Sequence, residues 1–378
     1  MPTRDPDSAG LEAVGSVAVR TFAAHQSQRS PRMALSAHQS MDGHHVNAMA
    51  GDGSGAPHNH FADYDELPDG HFYDPDAEYE PDPEYAATLA PDAARQRRER
   101  VGPTGRPLPY FPIPGPLTEH GPAKIIAMCN QKGGVGKTTS TINLGAALAE
   151  YGRRVLLVDF DPQGALSVGL GVNPMELDLT VYNLLMERGM AADEVLLKTA
   201  VPNMDLLPSN IDLSAAEVQL VSEVARESTL QRALKPLMDD YDYIVIDCQP
   251  SLGLLTVNAL TAAHKVIVPL ECEFFALRGV ALLTETIEKV QERLNPELEL
   301  DGILATMYDS RTVHSREVLA RVVEAFDDHV YHTVIGRTVR FPETTVAGEP
   351  ITTYASNSVG AAAYRQLARE VLARCHAE

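Results

Sequence analysis

Residues 130–139 read Asn-Gln-Lys-Gly-Gly-Val-Gly-Lys-Thr-Thr, between an apolar run, Lys124–Cys129, and a helix-like stretch. This is the pattern of a phosphate-binding loop joining a strand to a helix. The glycines let backbone N–H groups turn toward a phosphate, and the helix that follows adds its positive end. The cradle is expected to comprise Gly133, Gly134, Val135, Gly136, Lys137, Thr138 and Thr139. Lys137 is placed to reach the β- and γ-phosphates, and the Thr138 hydroxyl is placed to ligate Mg²⁺. The ordinary G-x-x-x-x-G-K-[ST] pattern would put glycine at 131, where this chain has Gln131. A second lysine, Lys132, instead opens the glycine run.

Such a loop needs acidic partners at the ends of later strands, and the chain supplies them. Val155–Val158 is an apolar run that ends in Asp159 and Asp161, and Tyr243–Ile246 leads directly into Asp247. Parallel strands covered on both faces read as continuous Val/Ile/Leu runs, and ligands collect at their carboxyl ends. Mg²⁺ takes oxygen ligands and keeps several waters, so Thr138 with Asp247, direct or through water, suffices for the metal. An isolated aspartate at such a place more often caps a strand or the next helix. The loop and both strand-end acids together select the phosphate reading.

From Lys124 onward strand and helix patterns alternate. Thr139–Glu150, Leu213–Val224 and Thr229–Asp239 read as helices, as does the long amphipathic pattern Ala276–Leu294. Val155–Val158, Tyr243–Asp247, Val266–Pro269 and Ile303–Met307 read as strands. This alternation predicts an α/β, doubly wound P-loop NTPase domain with a mainly parallel sheet over residues 121–378. The terminal pattern Ala361–His376 places Tyr364, Leu367, Val371, Leu372 and Cys375 on one stripe. A membrane-surface helix would carry lysine-rich flanks and large apolar anchors. This one has alanines and mixed Arg/Glu, so docking against the core is expected.

Residues 1–120 have a different composition, with few aliphatics and much Pro, Gly, Ser, His and acid. Asp63–Tyr85 is strongly acidic with interspersed tyrosines, Arg95–Arg100 is a short basic-acidic cluster, and Pro103–Pro116 reads as an extended linker. Such a segment cannot bury enough apolar surface to offset its ordering entropy, so a long disordered N-terminal extension is expected. Its beginning lacks the basic start of a targeting peptide, since Asp5 and Asp7 stand there. No run in the chain approaches the ~18 apolar residues of a membrane span. The four cysteines, Cys129, Cys248, Cys272 and Cys375, show no C-x-x-C spacing, which points to reduced thiols in a cytoplasmic protein rather than disulfides or zinc.

The stretch from Lys124 to about Val371 resembles the ParA/Soj family of partition ATPases, in the deviant Walker A, MinD-like group. The resemblance is carried by Asn130–Thr139, Leu157–Gly164, Asp242–Asp247, Pro250–Leu260 and Thr306–Thr312. It implies an ATPase with ATP and Mg²⁺ as cofactors, and a homodimer when ATP is bound. In that dimer Lys132 would reach across to the partner's nucleotide, Asp161 would position the attacking water, and Asp247 would be the Walker B acid. Phosphoryl transfer asks for positioning and charge neutralisation, so a cation supplied in trans can make hydrolysis depend on assembly.

The resemblance further implies a ParB-like activator, a nucleoid-associated location, and sequence-independent DNA binding through Arg311 and Arg340, while the residues of the terminal helix and the lack of an apolar span lead to the expectation of no membrane. A net charge of −21 repels nucleic acid globally, so any contact must be a local, salt-sensitive patch; Arg316, Arg321 and Arg337 are further members. The chain departs from the family pattern after Arg340, where Phe341-Pro-Glu-Thr-Thr replaces the usual Ser-Glu-Ala-Pro, and at Gln249, where a second proline is common. Two other readings stay open: a switch acting on a replication, sporulation or condensin-type protein, and a membrane-associated division-site ATPase.

Overall fold

The computed structural model describes residues 101–273 and 276–375. Its strands are β1 Lys124–Met128, β2 Val155–Phe160, β3 Leu197–Lys198, β4 Met204–Leu207, β5 Tyr243–Cys248, β6 Lys265–Glu271 and β7 Glu299–Thr306. The helices up to the sheet's midpoint are α1 Lys137–Glu150, α2 Ala165–Gly169, α3 Val181–Met186, α4 Ala192–Val195, α5 Leu213–Gln219 and α6 Thr229–Leu234. Six more follow: α7 Leu254–Ala262, α8 Ala276–Arg293, α9 Val313–Phe326, α10 Arg340–Ala347, α11 Ile351–Tyr354 and α12 Val359–Cys375. The sheet order is β3-β4-β2-β5-β1-β6-β7, parallel except for the β3–β4 pair. The doubly wound α/β expectation holds.

The strands are apolar throughout because both faces are covered. Ala127, Leu156, Val158, Ile244, Ile246 and Val266 point to one face, where α3, α5, α6, α7, α8 and α9 pack. Ile126, Met128, Val155, Leu157, Val245 and Ile267 point to the other, under α1 and α12. Helix α1 lies close on the sheet: a Cβ at Gly145 would stand 2.6 Å from Leu157 Cδ2. Helix α12 packs on α1 in turn, with Ser140 Oγ and Tyr364 Oη 3.1 Å apart. Tyr364, Leu367, Val371 and Leu372 are buried, so the expected core docking of the last helix is what forms. No helix among the described residues is long and apolar enough to cross a membrane.

Two expected helices are shorter than their sequence patterns. Leu213–Val224 ends as α5 at Gln219 and continues as a 3₁₀ turn over Leu220–Ser222, because Val218, Val221 and Val224 are exposed and find no core to bury them. Thr229–Asp239 ends as α6 at Leu234, where Pro236 removes a backbone donor and a 3₁₀ turn takes over.

Residues 101–122, assigned from sequence mostly to the extension, run along the domain and are tied to it. Arg106 donates to Asp327 O at 2.9 Å and Val330 O at 2.5 Å. Gly115 O accepts from Arg153 Nη1 at 2.9 Å, and His120 Nδ1 meets Asp242 Oδ2 at 2.9 Å. The expectations for residues 1–100, including the acidic tyrosine-bearing segment, fall outside the described residues.

Candidate nucleotide-binding site

The loop between β1 and α1 emerges at the carboxyl edge of the sheet, between β5 and β6. Gly134 and Gly136 have φ of 76° and 82°, a region that costs an L side chain strain, so the loop's turn depends on both glycines. Two side chains absent from the expected site fix its position. Asn130 is buried; its Nδ2 donates to Pro269 O at 2.8 Å and its Oδ1 accepts from Lys132 N at 2.9 Å. Thr306, at the end of β7, donates from Oγ1 to Val135 O at 2.9 Å. Asn130 lies inside the quoted motif and Thr306 inside a matching segment, but only the strand order shows what each one holds.

Lys137 opens α1, is 7% exposed, and its Nζ donates back to Lys132 O at 3.0 Å, across the mouth of the loop. Lys132 points elsewhere: its Nζ donates to Glu271 Oε2 at 3.0 Å and Glu273 Oε2 at 2.5 Å, and its side chain is 44% exposed. Burial opposes its charge, but hydrogen bonds to Glu273 and Glu271 outweigh that and hold its pKa above the ordinary lysine value. The same contact holds the Glu273 carboxyl below its usual range. The two lysines of one loop therefore serve different places.

The acids meet Thr138. Its Oγ1 donates to Asp247 Oδ2 at 2.6 Å, while Asp247 Oδ1 is buried with no hydrogen-bond partner. Strand register sets Asp159 beside Asp247. Burial first, then the neighbouring Asp159, pushes the Asp247 carboxyl up to about 8. Asp159 is pushed up to about 6, again chiefly by burial, although Ser167 donates to its Oδ2 from both N (2.8 Å) and Oγ (2.7 Å). An unpartnered buried oxygen, a hydroxyl and two carboxylates held in low dielectric suit a small divalent cation bound through oxygen and water. Such an ion would restore both acids to their charged forms. Asp159, read from sequence only as a strand-end acid, thus belongs to the site.

Asp161 sits on the turn after β2, where its Oδ1 accepts from Gln163 N at 2.9 Å. Its charge reaches both Asp159 and Asp247. Arg311 and Arg340 follow two segments that a bridge between Tyr308 and Gly336 holds side by side. Each is paired within its own segment: Arg311 with Asp309 at 3.0 Å, and Arg340 with Glu343 at 3.0 Å. The departure Phe341-Pro-Glu-Thr-Thr forms most of α10, which is why Glu343 comes within reach of Arg340.

A family model described as an AAA domain matches residues 123–300. The sporulation initiation inhibitor protein Soj of Bacillus subtilis is 48% identical over 250 residues, covering 66% of this chain and 98% of that protein. The chain belongs to the ParA/Soj family. The chromosome partitioning protein ParA of Caulobacter vibrioides is 47% identical over 255 residues, covering 67% of this chain and 95% of its own. Among solved structures, one described as cobyrinic acid a,c-diamide synthase from Mycobacterium smegmatis, with bound ATP analogue and magnesium, aligns with a TM-score of 0.60. It is 46% identical, over 67% of this chain and 96% of that one. The family model begins at residue 123, just before β1, and the relatives and the solved structure each match about two thirds of the chain.

Proposed function

We propose that this ParA/Soj-family ATPase is a Mg²⁺-dependent, ATP-driven dimer that binds DNA without sequence preference and acts in chromosome or plasmid partition. That the domain is an ATP hydrolase follows from its family. The finer reading gives Lys137, Thr138 and Asp247 the roles of phosphate and metal binding, with the backbone of Gly133–Thr139 as the cradle. Asp161 orients the attacking water, and Lys132 completes the site of a second copy. Arg311 and Arg340 contact DNA phosphates. A ParB-like activator resets the dimer, and the protein works in the cytoplasm on the nucleoid rather than on a membrane.

One observation supports assembly above all: Lys132 belongs to the phosphate loop yet its side chain is 44% exposed and its Nζ is held by Glu271 and Glu273, while Lys137 Nζ folds back onto the loop at Lys132 O. A loop lysine directed away from its own cradle is suited to a nucleotide held by another protomer. The partition reading is preferred because Soj and ParA match at 48% and 47% identity over nearly their whole length.

Sedimentation with and without Mg²⁺·ATP tests it. The wild type should shift to a dimer, whereas Lys132→Ala should bind nucleotide as a monomer but neither dimerise nor hydrolyse. A Lys132→Ala variant that dimerises normally would remove the role in trans.

A further inference from the structure

Lys132 is held by an arrangement with more parts than a single surface ion pair. Glu271, the last residue of β6, has a side chain only 14% exposed and divides its two oxygens between two cations. Its Oε2 accepts from Lys132 at 3.0 Å and its Oε1 accepts from Arg337 Nη2 at 3.4 Å. Glu273 adds a second carboxylate to Lys132 at 2.5 Å from the solvent side. The backbone of Arg337 is fixed, because its N–H donates to Tyr308 O at 3.0 Å beside the Tyr308–Gly336 bridge, while its side chain reaches Glu271 from a largely exposed position. The carboxylate of Glu271 therefore joins the nucleotide loop to the segment that leads into Arg340.

We propose that Glu271 and Glu273 are positioning residues for Lys132, clamping it against its own protomer until ATP-driven dimerisation draws it to the partner's nucleotide. The proposal rests on the reading of Lys132 as a lysine that acts in trans. Its physical basis is the charge left behind. When the ammonium departs, two carboxylates face each other without it. Glu273 is exposed and can be hydrated. Glu271 is mostly buried, so among the described residues it depends on the cation that remains paired with it, Arg337. Release of Lys132 thus opposes dimerisation, and Arg337 reduces that opposition. The clamp makes the dimer form only when a stronger anion, the terminal phosphate of bound ATP, competes for the lysine.

Five full-length variants separate these effects: Glu271→Gln, Glu273→Gln, Arg337→Gln, Glu271→Gln combined with Arg337→Gln, and Glu271→Gln combined with Glu273→Gln. By sedimentation in Mg²⁺·ATP, Glu271→Gln should dimerise at about three- to tenfold lower protein concentration, and Glu273→Gln should gain only about twofold, as an exposed partner does. Arg337→Gln should weaken dimerisation in the wild-type background and have no effect once Glu271 is glutamine. Independently of assembly, acylation of Lys132 by an N-hydroxysuccinimide ester can be followed by mass spectrometry in the nucleotide-free protein, with exposed Lys235 as the internal reference. It should be several-fold faster when both carboxylates are replaced by Gln.

Equal acylation rates in the wild type and in the doubly substituted protein would overturn the clamp. So would a Glu271→Gln variant that dimerises no more readily than wild type. If acylation responds as expected but the wild type never dimerises with ATP, the clamp stands and the role of Lys132 in trans is what fails.

Discussion

Replacing Asp247 with Asn is expected to stabilise the nucleotide-free fold and to remove its response to Mg²⁺. Asp247 is 1% exposed and stands in register with Asp159. Burial, and then the charge of Asp159, raises its carboxyl from 3.8 to about 8, against the weaker opposing effects of the Thr138 hydroxyl and the Lys137 charge. A folded pKa above the unfolded one means that the folded state binds more protons between the two values. The stability associated with this group is therefore full below about pH 4, falls as pH rises, and levels off above about pH 8. At about 1.4 kcal/mol per pH unit the whole interval corresponds to about 6 kcal/mol. Because Asp159 shares the charge and the site relaxes, a gain of about 2–4 kcal/mol for the Asn variant at pH 8.5 is expected.

Urea denaturation in EDTA at pH 5.5, 7.0 and 8.5 measures this directly. The difference between variant and wild type should widen with pH and then flatten, since all other titrating groups are common to both. In Mg²⁺·ATP the gap should narrow by about 2.7 kcal/mol, the stabilisation that ligand at 100-fold over its Kd gives the wild type. The Asn variant should gain little. An Asn variant no more stable than wild type at pH 8.5, or a gap that shrinks as pH rises, would refute the account of Asp247 as a strained acid awaiting a cation.

Three further outcomes are expected. Lys137→Ala removes the buried charge at the mouth of the loop and should weaken nucleotide binding by at least about a hundredfold in a fluorescent-nucleotide titration; wild-type affinity would contradict the loop assignment. Asp161→Ala should slow single-turnover hydrolysis by about 10²–10³ while leaving nucleotide affinity within a few-fold, because the cradle's donors are untouched; hydrolysis at the wild-type rate would remove Asp161 from the chemistry. Arg340→Ala should lower DNA affinity of the ATP-bound form and reduce the slope of log affinity against log salt by about 1. The same change at Arg365 of α12, which pairs with Glu150 of α1, should leave both unchanged.

The central strands were legible because their residues are apolar without interruption, and the loop was legible because glycine, lysine and threonine must stand together in sequence to stand together in space. The short elements were not. Helix α2 and strand β3 span five and two residues, too few for a periodic pattern to declare itself. The ends of α5 and α6 were misjudged for opposite reasons. Pro236 was a visible stop signal, whereas the end of α5 reflects the absence of a core over Val218 and Val221, which no local pattern records.

The site divides in the same way. Every parallel strand here delivers its carboxyl end to one edge, so Asp159 and Asp247, which the sequence marks, and Glu271 and Thr306, which it does not, all face the pole where the phosphate loop lies. Which of them touch is decided by strand order. Register sets Asp247 against Asp159 because β5 lies beside β2, and Thr138 then meets Asp247 across a separation of 109 residues. Lys132 meets Glu271 across 139 residues because β6 flanks β1 on its other side. A phosphate loop with an acid on each flanking strand holds two opposite tendencies in one place. The buried acids on the β5 side favour capture of a cation, while the partly solvated acids on the β6 side restrain a cation already present. Under the proposed reading, a nucleotide carrying its own Mg²⁺ would satisfy the first and compete with the second, which is the physical requirement for a site whose occupation changes how a protein assembles.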